Sequence, residues 1–181
     1  MAAEDKQAIN IEPLDPARHD RAAFTCRVER LDNFLNRTAN KHQKGDFTRV
    51  WGATVPDDTS ILGYYAINAH SLEGEELPGA LTRNAPRNGI PTAYLSMIAV
   101  HNRAQGQGIG VLLMADALKR MLRASEQIGL AAVLLDVLND DGEEAYEARK
   151  RFYEKMGFKS FPSQPSRMFL TIKEIRAAFA G

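Results

Sequence analysis

Only one cysteine, Cys26, occurs among the 181 residues, and that scarcity removes several classes of protein at once. No internal disulfide can form, which points to a reducing compartment, and a cysteine-rich zinc site is out of reach. An excess of charge of one sign is also lacking, with 23 Lys and Arg against 23 Asp and Glu. The chain as a whole therefore has no pull on nucleic acid or anionic lipid, and any such affinity must be local. No apolar run reaches the roughly 18 residues of a membrane span. The first ten residues, MAAEDKQAIN, hold acids and no apolar core, so they do not read as a secretory signal. Repeats and low-complexity tracts are missing too. These absences leave a cytoplasmic globular chain, with no membrane partner, that fits one domain over residues 1–181.

What is present is a clear alternation of strand and helix patterns. Residues 8–14 alternate as a short strand, and Asp15-Pro16 opens a helical turn. From Arg30 the helical spacing places Leu31, Phe34, Leu35, Thr38 and Ala39 on one face, with Gly45 as the stop. Residues 47–55 and 61–69 read as strands joined by the turn PDDTS. A long loop with three prolines and three glycines covers residues 73–91. A buried strand at 92–100 then leads to a helix at 110–123, whose expected apolar face is Leu112, Leu113, Ala115, Leu118 and Leu122. A strand at 131–138 precedes a helix capped by Asp140 or Asp141 and ended by Gly157. Short strands at 158–161 and 167–172 and a terminal helix or tail close the chain. The order predicts a mixed α/β sheet with helices on both faces.

The most informative stretch is SMIAVHNRAQGQGIGVLLM, residues 96–114, where a strand feeds a turn with glycine at 106, 108 and 110 and a helix follows at once. The first N–H groups of a helix have no partner inside it, and the helix dipole adds positive potential there. Glycine removes the Cβ that would hold an oxyanion away from the backbone. Such a turn is an anion site. It is not a Walker loop, because Val111-Leu112 follows Gly110 where Lys-Ser/Thr would be needed. A dinucleotide fingerprint would require glycine at position 111, which is Val111.

A third pattern, Gln/Arg-x-x-Gly-x-Gly/Ala, is met by Gln105, Gly108 and Gly110, and RFYEKMGF follows at residues 151–158. In both segments the chain resembles the GNAT acetyltransferases. The resemblance implies a GNAT fold, a single mixed, mostly antiparallel, twisted sheet splayed at the cofactor strand. It implies acetyl-CoA as acetyl donor and no metal. Met97, Ile98, Ala99 and Val100 would pair with the pantetheine arm as an added strand. The amides of Gln105, Gly106, Gln107, Gly108, Ile109 and Gly110 would hold the pyrophosphate. Arg103 either adds charge there or is solvated. Phe152 and Tyr153 would lie at the cofactor, and Asn139 would bond pantetheine, although the acidic segment NDDGEEAYEARKR departs from the family's shorter spacing.

Acetyl transfer to an amine needs a neutral amine, a stabilised oxyanion and a proton for the departing thiolate. The resemblance gives Tyr153 the last task; read as a residue alone, it is a core aromatic. The N–H of Ile98 or Ala99 would serve the oxyanion. His101 is either a base or a structural strand-end residue. Cys26 has no activating neighbour in sequence and reads as core packing.

Over roughly residues 11–172, beginning in the N-terminal half, the chain resembles one branch of that family. Phe24-Thr25-Cys26, Leu31-Asp32-Asn33-Phe34-Leu35, Gly63-Tyr64-Tyr65, Ile90-Pro91 and Arg167-Met168-Phe169-Leu170 are similar to the acetyltransferase toxins of toxin–antitoxin pairs. That branch implies aminoacyl-tRNA as acceptor and a ribbon-helix-helix antitoxin as partner, and a homodimer is expected because one acceptor patch is small for tRNA. Arg27 departs from it where glycine is common after the cysteine, which counts against a tight turn there. Arg18, Arg21, Arg27, Arg30, Arg37, Lys41, Lys44 and Arg49, with Arg149, Lys150 and Arg151, form either a phosphate-binding patch or salt-bridged helix faces. The alternatives are an N-acetyltransferase for a small amine or protein N-terminus, for which Asp140, Asp141, Glu143 and Glu144 could bind a polyamine, and a non-catalytic acetyl-CoA-binding module.

Overall fold

The computed structural model describes residues 8–73 and 78–181. Most of the N-terminal segment weighed as a signal, and residues 74–77 of the long loop, lie outside the described residues. The strands are β1 (Asn10–Pro13), β2 (Arg49–Thr54), β3 (Gly63–Leu72), β4 (Ile90–Val100), β5 (Ala132–Asp136), β6 (Lys159–Ser160) and β7 (Arg167–Thr171). They form one seven-stranded sheet in the order β1-β2-β3-β4-β5-β7-β6. β1 with β2, β5 with β7 and β6 with β7 run antiparallel, and β4 with β5 runs parallel, so the sheet is mixed as expected. The helices are α1 (Glu29–Asn33), α2 (Ala39–Lys44), α3 (Gly79–Thr82), α4 (Ile109–Ser125), α5 (Glu143–Lys155) and α6 (Ile172–Phe179). Among the described residues no helix is long and apolar enough to cross a membrane.

Two compact units divide the chain: Met1–Ala66 with Met97–Asp116, and Ile67–Ser96 with Ala117–Gly181. In the first, α1 and α2 are joined by a π-helical turn, Phe34–Thr38, which the apolar spacing did not reveal. Leu31, Phe34, Leu35 and Ala39 are buried as predicted. The helix stops at Gly45, but the left-handed residue is Asp46 (φ 59°), a residue type that tolerates that region. In the hairpin turn, the Asp58 N–H donates to the Val55 carbonyl at 3.1 Å and Asp57 has φ 65°. Pro at the second turn position with a left-handed third residue is a type II arrangement.

In the second unit Leu72, Leu81, Ile90, Ala132, Leu134, Phe161 and Phe169 form an apolar cluster. The short α3 lies within the stretch expected to be irregular throughout. Two further expectations are corrected. The buried side of α4 is Leu113, Met114, Ala117, Leu118 and Met121, whereas Leu112 is 46% exposed. Four consecutive apolar residues, 111–114, made the face ambiguous. The N-cap of α5 is Gly142 (φ 99°), with no side-chain cap bond, because Asp141 instead pairs with Arg149 through two bonds of 2.5 Å. Gly157 (φ 96°) ends α5 as predicted. The chain closes on α6, whose Thr171 and Glu174 form a complete capping box.

Candidate active site

In the first unit the turn after β4 is fixed at both ends and open between them. The His101 N–H donates to the Leu62 carbonyl at 2.8 Å and the Asn102 N–H to the Thr25 carbonyl at 2.9 Å. A 3-10 turn, Asn102–Ala104, follows and buries Ala104. Ile109, the first residue of α4, is also buried. Gln105, Gly106, Gln107 and Gly108 between these anchors are exposed. Gln105 Nε2 donates to the Val100 carbonyl at 3.1 Å and Gln107 Nε2 to the Arg103 carbonyl at 3.0 Å, so both side chains stiffen the turn.

Gly106 (φ 78°) and Gly108 (φ 81°) take left-handed conformations, and a Cβ on either would meet nothing within 4 Å. Backbone conformation, not crowding by the protein, is what these glycines supply. Gly110 lies in the first turn of α4, which carries no acidic residue. A diphosphate would therefore meet unpaired helical N–H groups and no local repulsion, and the residues present fit that group. Arg103 is exposed and makes no ion pair among the described residues.

β4 and β5 pair only through Thr92↔Ala132, Ala93↔Val133 and Tyr94↔Leu134. Their ladder ends there, although β4 continues to Val100. Met97, Ile98 and Val100 in that continuation are partly exposed and Ala99 is buried. Gly63 on β3 permits close packing behind them. A Cβ on it would lie 2.8 Å from Leu113 Cδ1 and 2.9 Å from the Ala99 carbonyl oxygen.

His101 is held by its surroundings. His101 Nε2 lies 3.3 Å from the Ala23 carbonyl, Nδ1 accepts the Arg103 N–H at 3.1 Å, and the ring meets Phe24 edge-on. Both nitrogens are engaged by backbone. Cys26 is buried, and its thiol is pushed up to about 12 by burial and by Asp32, which fits a packing role. Arg27 keeps the tight turn despite its side chain, at φ 68°. Asp32 ties that turn, accepting the Thr25 hydroxyl and the Cys26 N–H, each at 2.8 Å.

In the second unit Tyr153 is buried on α5, with its ring edge-on to Phe152 at 5.4 Å and to Phe158 at 6.2 Å. Burial pushes its phenol up to about 12, opposed by the charge of Arg149. Arg149 also donates to the Leu138 carbonyl at 3.1 Å, fastening the segment that contains Asn139 to α5. Asn139 itself is exposed.

Two arrangements had no signal in sequence. Tyr65 donates to Asp116 at 2.5 Å across 51 residues. Tyr94 donates to Asp136 at 2.8 Å, and Arg167 holds that carboxylate with two bonds of 2.9 Å. The partners are 42 and 31 residues apart, so only the fold reveals them.

A strand that outruns its neighbour, a left-handed glycine turn and an acid-free helix N-terminus are features that an extended ligand carrying a diphosphate would need. Residues 49–160 match the acetyltransferase (GNAT) domain family, and the chain belongs to that family. It is 48% identical over 168 residues to the probable toxin TacT of Sinorhizobium fredii, covering 92% of this chain and 93% of that protein. It is 30% identical over 158 residues to the tRNA-acetylating toxin of Mycobacterium tuberculosis, covering 87% and 89% respectively. Among solved structures, the toxin AtaT complexed with acetyl-methionyl-tRNAfMet superposes with a TM-score of 0.82 at 25% identity, covering 95% of this chain and 99% of that one. A Tyr-to-Phe mutant of AtaT, bound to acetyl-CoA and the C-terminus of the antitoxin AtaR, gives 0.78 at 25% identity, covering 96% and 99%.

Proposed function

We propose that this protein is an acetyl-CoA-dependent toxin that acetylates the α-amino group of aminoacyl-tRNA and so blocks translation. The observation that carries the reading is the open, doubly left-handed glycine turn at the head of α4, in a chain whose relatives include tRNA-acetylating toxins. Residues 1–181 make one acetyltransferase domain. Because charged tRNA is the acceptor, the protein works in the cytoplasm.

When bound, acetyl-CoA supplies an activated acetyl thioester. The amides of residues 105–110 hold its diphosphate, with Arg103 adding charge. Met97, Ile98, Ala99 and Val100 offer backbone groups to the pantetheine arm, and Asn139 and Phe152 contact it. An α-amino group has a pKa of roughly 8, so much of the acceptor is neutral without a dedicated base. The N–H of Ile98 or Ala99 donates to the carbonyl oxygen as negative charge develops there. Tyr153, which keeps its proton in its buried site, would give it to the sulfur as the amine nitrogen bonds the carbonyl carbon and the C–S bond breaks, and the proton shed by the nitrogen would restore the phenol by way of solvent. His101 positions the turn.

The acidic cluster that would favour a polyamine is weakened, since Asp141 is neutralised by Arg149. A ribbon-helix-helix antitoxin restrains the toxin, and the active form is a homodimer, which light scattering would test. The decisive assay gives purified protein labelled acetyl-CoA with charged or uncharged tRNA. Label should enter charged tRNA alone. Transfer to free amines with none to charged tRNA would refute the reading.

A further inference from the structure

Phe47 is the most exposed large apolar side chain among the described residues, at 71%. A single exposed apolar residue is ordinary, but Phe47 is the outer end of a built series. In the core Phe24 meets Tyr64 edge-on at 5.4 Å, and Tyr64 stacks on Phe34 at 6.1 Å and 15°. Phe34 then meets His42 at 6.0 Å, and His42 meets Phe47 at 6.0 Å. The Phe47 N–H donates to the His42 carbonyl at 3.0 Å. Gly45 lets the ring lie against the backbone, since a Cβ there would sit 2.6 Å from it. The ring is thus braced from behind and open in front.

Its surroundings are cationic. Lys41 and Lys44 in the last turn of α2 are exposed, as is Arg37. None of the three makes an ion pair among the described residues, whereas Arg49 is paired with Asp46 at 2.7 Å. An exposed aromatic ring three residues after Lys44 and six after Lys41, both exposed, fits a single-stranded nucleotide, with the base on the ring and phosphate oxygens on the lysines. Charge complementarity separates this occupant from an apolar protein segment.

We infer that Phe47 is a stacking platform for an unpaired base of the charged tRNA, with Lys41 and Lys44 holding the adjoining phosphates. The inference rests on the acceptor proposed above. Because Phe47 is exposed, Phe47→Ala should leave the melting temperature and the acetyl-CoA KM unchanged. Its kcat/KM for charged tRNA should fall on the order of tenfold through a raised KM, as expected for one lost base stack. Phe47→Trp should restore the wild-type KM, and tRNA should quench the fluorescence of the introduced indole. Lys44→Ala should lower the salt-dependence slope of tRNA binding by about one. If the wild type acetylates charged tRNA and Phe47→Ala does so with the same KM, the platform is refuted and the function stands. Loss of antitoxin binding by Phe47→Ala with tRNA KM intact would instead make the patch a protein contact and also overturn it. Failure of the wild type on any charged tRNA would remove both.

Discussion

Replacing Gly63 by alanine tests how the end of β4 and the first turns of α4 pack against β3 in the first unit. The φ of Gly63 lies outside the left-handed region, so the backbone accepts alanine and the whole cost is steric. The new methyl would stand 2.8 Å from Leu113 Cδ1, 2.9 Å from the Ala99 carbonyl oxygen and 3.3 Å from Ile109 Cγ2. Leu113 can turn its side chain aside, but the Ala99 carbonyl is main chain and moves only with β4. Overpacking of this kind costs about 1–3 kcal/mol. At roughly 2–4 °C per kcal/mol for a chain of this size, the melting temperature should fall by about 2–12 °C. Ala99 and Ile109 flank the glycine turn, so acetyl-CoA binding should weaken on the order of tenfold, about 1.4 kcal/mol. Scanning fluorimetry and titration calorimetry read the two effects. Gly52→Ala is the control, because a Cβ there meets nothing within 4 Å, and it should melt at or above the wild type. Gly63→Ala that melts and binds acetyl-CoA like the wild type would refute the steric reasoning.

Tyr153→Phe keeps the ring contacts to Phe152 and Phe158, so its stability should hold while kcat falls by roughly 10²–10⁴-fold, measured by thiol release with charged tRNA. Partial burial raises the Asp136 carboxyl, but the hydrogen bonds from Arg167 and Tyr94 and the Arg167 charge outweigh it and hold the group below the usual carboxylate range. That stability is present above the unfolded carboxylate pKa of about 3.9 and is lost as pH falls through the folded value. Asp136→Asn should therefore melt below the wild type at pH 7, with the gap closing in acid. Cys26, its thiol pushed up to about 12, should resist alkylation at pH 8 in the native protein and react once denatured. Thr171→Ala removes the capping box of α6 and should cost about 1 kcal/mol in urea titration.

The parts of the site legible in sequence were those whose chemistry is local. Gly106 and Gly108 announced a turn between a strand and a helix, and both are left-handed. Gly157 announced the end of α5 for the same reason. What stayed hidden depended on contacts across the chain. Asp141 looked like a cap until Arg149, eight residues away, claimed it. The π turn at Phe34–Thr38 leaves the apolar spacing nearly intact, so periodicity could not register it. Arg27 argued against a tight turn, yet Asp32 holds its neighbours in one. The Tyr94–Asp136–Arg167 group joins three strands and has no sequence spacing of its own.

The proposed function requires the backbone amides of residues 105–110 to grip the diphosphate of acetyl-CoA. A crystal structure of the protein with bound acetyl-CoA measures this most directly. The prediction is diphosphate oxygens within hydrogen-bond distance of those amides, with the pantetheine arm along residues 97–100 of β4. Clear density for the diphosphate at any other place on the chain would contradict it.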